Sequence, residues 1–127
     1  MLDVSEIETI EHDVGVIGAG GAGLRAAIES SARGLNTGVV CKSLLGKAHT
    51  VMAEGGMADA MGNVDDRDNW KVHFRDTMRG GKFLNVYRMA ELHAKTAPER
   101  VRELEEWGAV FDRTQKGLIS QRNFGGH

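Results

Sequence analysis

The chain has 127 residues, enough for one domain or part of one, and its 41% hydrophobic and 27% charged content is that of a folded soluble protein rather than a disordered one. Sixteen Lys and Arg against eighteen Asp and Glu leave a net charge of −2, which gives no electrostatic case for nucleic acid. The longest apolar runs fall far short of a membrane span.

The first residues, "MLDVSEIETIEH" (1–12), read as an acidic tail without the basic and apolar regions of a signal peptide. "DVGVIG" (Asp13–Gly18) is a short apolar run ending in glycine, the pattern of a strand buried on both faces of a parallel sheet. "AGLRAAIESSARG" follows as a helix with Leu24, Ala27 and Ile28 on one face and Gly34 as its stop. "NTGVVC" (Asn36–Cys41) reads as a second strand. Strand, helix and strand in about thirty residues make a βαβ unit, so the fold class is α/β.

The segment after Gly56 reads mainly as helix. "DRDNWKVHFRDTMRGG" predicts a helix closed by Gly80 and Gly81, with Trp70, Phe74 and Met78 on one side. Val86 to Gly108 holds two helices or one bent one. A second start falls at Thr96, where Thr96, Pro98 and Glu99 form a capping box that leaves Val101, Leu104 and Trp107 facing a core. "AVFDRTQKGLISQ" reads as a hairpin pairing Val110–Phe111 with Leu118–Ile119 across Lys116–Gly117. With only two predicted parallel strands the sheet is incomplete, and its edges and apolar faces would be exposed.

The chemistry starts at "GAGGAG" (18–23). Gly18, Gly20 and Gly23 stand in the G-x-G-x-x-G spacing between a strand and a helix, which is the setting the motif needs. Gly18 permits a tight turn, Gly20 lets backbone approach a pyrophosphate, and Gly23 lets helix pack on strand. The helix N-terminus then offers free N–H groups to the phosphates. Beyond the second strand stands "VVCKS", with Lys42 where an acid usually binds the ribose of NAD. Two readings follow: a 2′-phosphorylated nicotinamide cofactor drawn by Lys42, or a flavin dinucleotide held differently. A second glycine-bearing segment, "GKAHTVMAEGG" (46–56), also follows a strand and so belongs at the carboxyl edge of the sheet, where ligands bind in open α/β folds. His12, His73, His93 and His127 have no metal-ligand spacing, so no metal site is expected. The lone Cys41 cannot form an internal disulfide, which fits a reducing compartment.

"GAGGAGLRAAIE", "KAHTVMAEGGMADAMGNVDDRDNW" and "QRNFGGH" resemble, in order and spacing, the N-terminal part of the flavoprotein subunit of succinate dehydrogenases and fumarate reductases. The H-T-x-x-A-[QE]-G-G block and Q-R-x-F-G-G carry most of that likeness. Glu54 in place of Gln, and Lys47-Ala48-His49 in place of Arg-Ser-His, resemble the actinobacterial subgroup. The resemblance implies that residues 13–127 are the first part of a Rossmann-like FAD-binding domain, without its capping and C-terminal domains. It implies that Gly18, Ala19, Gly20, Gly21, Ala22 and Gly23 cradle the FAD pyrophosphate. Cys41, Lys42, Ser43, Ala48, His49, Thr50, Gly55 and Gly56 would line the rest of the cofactor, with His49 joined covalently to the flavin. Gly55 and Phe124 match positions beside the dicarboxylate substrate. No catalytic acid or base is assigned within these residues, Arg113 and Arg122 included.

The implied activity is oxidation of succinate to fumarate, with electrons passing to an iron–sulfur subunit, then to quinone. A membrane-anchor subunit would hold the complex at the cytoplasmic face of a bacterial membrane. The alternatives are a fumarate reductase, a protein like L-aspartate oxidase, or a non-catalytic NADP- or FAD-binding Rossmann module.

Overall fold

The computed structural model describes residues 7–123, so Phe124 and the F-G-G-H end of the chain lie outside the described residues. The chain divides into two compact units, Met1–Gly56 and Met57–His127.

The first unit is the expected βαβ element. Strand β1 (Val14–Ile17), helix α1 (Gly21–Ala32) and strand β2 (Thr37–Val40) follow in order, and the strands pair in parallel from Val14↔Thr37 to Ile17↔Val40. Asn36 fixes the register at the open end. Its carbonyl accepts from the Asp13 N–H at 2.9 Å, and its own N–H donates to the Asp13 carboxylate at 2.8 Å. His12 sits beside it, 3.1 Å from the Asn36 amide oxygen. The His12 ring also lies over Gly38, where any Cβ would strike it.

Alanines and an Arg25–Glu29–Arg33 ladder at helical spacing favour α1. Gly34, at φ +80°, stops it in the left-handed conformation that only glycine adopts without strain. The strands differ from the buried-on-both-faces expectation. Val14 and Val16 are half-buried, whereas Ile17 is 91% and Val40 64% exposed. Helix α1 covers one face of a two-stranded sheet, and no described element of this unit covers the other.

The second unit is a helical pair. Asn69 caps α2 (Trp70–Gly80) by accepting the Lys71 N–H at 3.0 Å, so the helix starts later than the polar run before it implies. Arg67 clamps the Asp65 carboxylate in that preceding turn and holds its pKa at about 2. Helix α3 (Tyr87–Glu106) packs on α2 through Ala90, Ala94, Ala97 and Val101, all buried at spacings of three and four. Small side chains let the helices approach closely.

Helix α3 does not restart at Thr96. It runs through Pro98, and the Thr96 hydroxyl donates back to the Leu92 carbonyl at 2.8 Å instead of capping a new helix. The apolar stripe is continuous across the proline, and burying it outweighs the backbone bond that Pro98 cannot donate. Val101 faces the core as expected and Leu104 is half-buried, but Trp107, at the helix end, is 49% exposed. The hairpin forms three residues tighter than its apolar pattern suggests. Arg113 pairs with Ile119, and the Thr114 N–H donates to the Leu118 carbonyl at 2.8 Å. Gly117 at φ +80° makes the turn, and Val110 is left 97% exposed.

Candidate functional site

The site begins where β1 hands over to α1. Gly18 takes φ +104°, a conformation costly for any residue with a Cβ, and its N–H donates to the Val40 carbonyl at 2.7 Å. That bond pins the turn to the end of β2. Ala19 is buried beneath it. Gly20 is the N-cap of α1 and offers no side-chain cap, and the first turn of α1 carries no acid. The helix therefore presents its first N–H groups and the positive end of its dipole with no charge of its own to neutralise them. Gly23 lies flat against the turn. A Cβ there would collide with the Gly18 carbonyl oxygen, so only glycine allows this helix–strand contact.

The second glycine-bearing segment reaches the first. A single 3₁₀ turn, His49–Met52, carries Thr50, whose hydroxyl oxygen accepts the Gly21 N–H at 3.0 Å. A Cβ built on Gly20 would lie 3.4 Å from the same oxygen. The structure thus brings Gly18, Ala19, Gly20, Gly21 and Gly23 together with Thr50, and places His49 one residue from that contact in an exposed position. At the end of β2 the Cys41 thiol donates to the Ser43 carbonyl at 2.8 Å, shaping the bend that leads towards this turn. Lys42 and Ser43 are exposed, Ala48 is half-buried, and Gly55 and Gly56 are exposed, the latter at φ +96°. The groove bounded by Leu24, Ala27, Ile28 and Thr37 runs along the later part of α1 and contains none of the expected cofactor residues.

An open glycine turn, a helix N-terminus whose N-cap residue supplies no side-chain cap, and an exposed second loop fit a dinucleotide pyrophosphate. The arrangement binds and orients. It holds no paired nucleophile and base.

One polar cluster in the second unit escaped the reading of the sequence. The Asn63 N–H donates to the Gln121 side-chain oxygen, and the Asn63 amide donates to the Ile119 carbonyl, each at 3.0 Å. The Gln121 amide donates in turn to the Asp59 carbonyl at 2.9 Å and to the Asp68 carboxylate at 3.3 Å. Burial raises the Asp59 carboxyl above its usual range, and nearby Asp68 adds to the shift; the Ala60 N–H, Arg102 and His93 oppose it. Its members lie in two of the segments that carry the resemblance, Asp59, Asn63 and Asp68 in "KAHTVMAEGGMADAMGNVDDRDNW" and Gln121 in Q-R-x-F-G-G, but nothing in their spacing showed that they meet.

A family profile described as an FAD binding domain matches residues 13–127. The CoM/CoB fumarate reductase of Methanothermobacter marburgensis has a subunit that is 52% identical over 95% of this chain and 22% of its own length. The succinate dehydrogenase flavoprotein subunit of Rickettsia felis is 45% identical over 91% of this chain and 19% of its own. Among solved structures, the Mycobacterium smegmatis Sdh1 complex in the apo form has a chain 72% identical, superposing with a TM-score of 0.86 over 91% of this chain and 20% of its own. This chain spans about a fifth of the length of each of them. It belongs to the FAD binding domain family, and the relatives it is similar to include flavoprotein subunits of succinate dehydrogenases and a fumarate reductase subunit.

Proposed function

We propose that this chain is the N-terminal, FAD-binding portion of a succinate dehydrogenase flavoprotein subunit, with residues 13–127 forming the first part of its FAD domain. The observation that carries the reading is the Thr50–Gly21 hydrogen bond, which sets the H-T-V-M turn against the glycine turn. Gly18 to Gly23 would hold the pyrophosphate with backbone N–H groups and the α1 dipole. The Cys41–Ser43 bend and Ala48 to Gly56 would line the remainder, and His49 would supply the imidazole for a covalent bond to the flavin. Bound there, FAD supplies the two-electron acceptor for a hydride leaving succinate.

What these residues would contribute is retention and orientation of the cofactor. The assignment of Gly55 and Phe124 to the dicarboxylate rests on the sequence resemblance. No described helix is long and apolar enough to cross a membrane. An iron–sulfur subunit would take the electrons, and a separate membrane anchor would hold the complex at the cytoplasmic face and pass them to quinone.

The test is a denaturing gel of the complete flavoprotein viewed under ultraviolet light. A fluorescent flavin band is expected for the parent and absent in His49→Ala. A band surviving that substitution refutes attachment at His49. The name of the methanogen relative favours a second reading, reduction of fumarate. Steady-state rates in both directions on the flavin-loaded enzyme decide between the two.

A further inference from the structure

We propose that Thr50 is a ligand of the pyrophosphate, its hydroxyl capping α1 from 29 residues away in sequence and offering its own hydrogen to the same phosphates. The inference rests on the functional reading above and moves Thr50 from the flavin end of the cofactor to its diphosphate. The Gly21 N–H, at the first residue of α1, donates to the Thr50 hydroxyl oxygen at 3.0 Å. The same oxygen would lie 3.4 Å from a Cβ on Gly20, and Thr50 Cγ2 would lie 3.5 Å from one on Gly21. The Thr50 side chain therefore rests on the first turn of α1. It stands in for the oxygen that a Ser, Thr or Asp at the N-cap would supply.

A hydroxyl can accept and donate at once. The Thr50 oxygen accepts from Gly21, and its hydrogen meets no acceptor among the described residues. The N–H groups of Ala22 and Gly23, next along the turn, likewise meet none among the described residues. These donors remain at the end of α1 where the dipole favours an anion. An acid in place of Thr50 would also cap the helix, but its charge would repel phosphate and it has no hydrogen to give. A side-chain cap at position 20 would serve the helix equally and would leave the His49–Met52 turn untied. The remote hydroxyl does both: it caps α1 and fixes His49, its neighbour in the chain, relative to the phosphate donors. Thr50 is thus a binding residue for the diphosphate, and the diphosphate sets the register in which His49 meets the flavin.

The test is calorimetric titration of the complete apo-flavoprotein with FAD, ADP and riboflavin, in a His49→Ala background that prevents covalent capture. ADP carries the diphosphate without the flavin, and riboflavin carries the flavin without the diphosphate. Thr50→Val deletes the hydroxyl at nearly constant volume, and Thr50→Ser keeps it. Losing one hydrogen bond to a charged phosphate at an exposed position should weaken FAD and ADP about tenfold in Thr50→Val. Thr50→Ala, a second deletion of the hydroxyl, should repeat that loss. Riboflavin binding to Thr50→Val, and all three affinities of Thr50→Ser, should stay within about twofold of the parent. Unchanged ADP affinity in Thr50→Val and Thr50→Ala overturns the proposal, and a loss for riboflavin alone returns Thr50 to the flavin end. An equal loss in Thr50→Ser also overturns it, because packing of the methyl group would then carry the effect. A parent that binds neither FAD nor ADP overturns the functional reading, and the role of Thr50 falls with it.

Discussion

Substituting Gly23 by alanine tests the cofactor cradle at its tightest point. The new Cβ would overlap the Gly18 carbonyl oxygen, lie 2.9 Å from its carbonyl carbon and come within 3.4 Å of Val16 Cγ1. Ordinary contact begins near 3.4 Å, so the carbon alone demands a separation of about half an ångström, and the oxygen demands more. Gly18 cannot yield, since its N–H is bonded to Val40 and its φ is already +104°. Helix α1 has to lift off β1 instead. Overpacking of this kind costs about 1–3 kcal/mol. If the bound state bears that cost, FAD affinity falls about 5- to 150-fold, at tenfold per 1.4 kcal/mol.

The measurement is a fluorescence titration of apo-flavoprotein with FAD in a His49→Ala background, so that affinity is read and covalent capture is not. Gly21→Ala is the control. Its Cβ would meet Thr50 Cγ2 at an ordinary 3.5 Å, and alanine suits a helix start, so little change is expected. A Gly23→Ala protein that binds FAD within twofold of its parent would show that the glycine turn is not the cradle.

The other expectations concern neighbouring parts of the fold. Thr50→Val removes the acceptor for the Gly21 N–H at constant volume and should slow flavin attachment, with Thr50→Ser restoring it; time courses of the fluorescent gel band decide. Ala94 is fully buried between α2 and α3, so Ala94→Val should cost about 1–3 kcal/mol, read as an earlier denaturant midpoint. The raised pKa of Asp59 means that its carboxyl favours the folded state most below about 3.8, an advantage lost as pH rises through the raised value. Asp59→Asn should therefore melt higher than the parent at pH 7 and lose that margin in acid. A margin independent of pH would refute the burial argument.

Local signals made the first unit legible. The G-x-G-x-x-G spacing names its own turn, because each glycine answers a separate demand: positive φ at Gly18, the open N-cap at Gly20 and the absent Cβ at Gly23. The approach of Thr50 was half legible. Sequence placed both loops at one sheet edge, but a 3.0 Å bond across 29 residues depends on where β2 ends and how Cys41 and Ser43 bend the chain. Helix α3 was misread at Thr96 because a capping box and a first-turn proline are local rules, and a tertiary stripe of alanines overrode them. The hairpin register failed for the opposite reason. Apolar alternation suggested Val110 as a partner, whereas Gly117 and the Thr114 turn closed the loop first.

Apolar exposure follows the same physics to a functional end. Ile17 and Val40 face outward at the carboxyl ends of both strands, beside the turn that would take the cofactor. Leaving two such side chains in water forfeits about 1.5–3 kcal/mol each relative to burying them. A sheet so exposed gains from any further strand or ligand that covers it. In this fold, cofactor binding and completion of the sheet would then be one coupled process. Coupling predicts that FAD raises the melting temperature of the complete flavoprotein even in the His49→Ala background, where only noncovalent contacts act. If added FAD leaves the melting temperature of that variant unchanged, the cofactor is no part of this unit's folding, and the two strands stand without it.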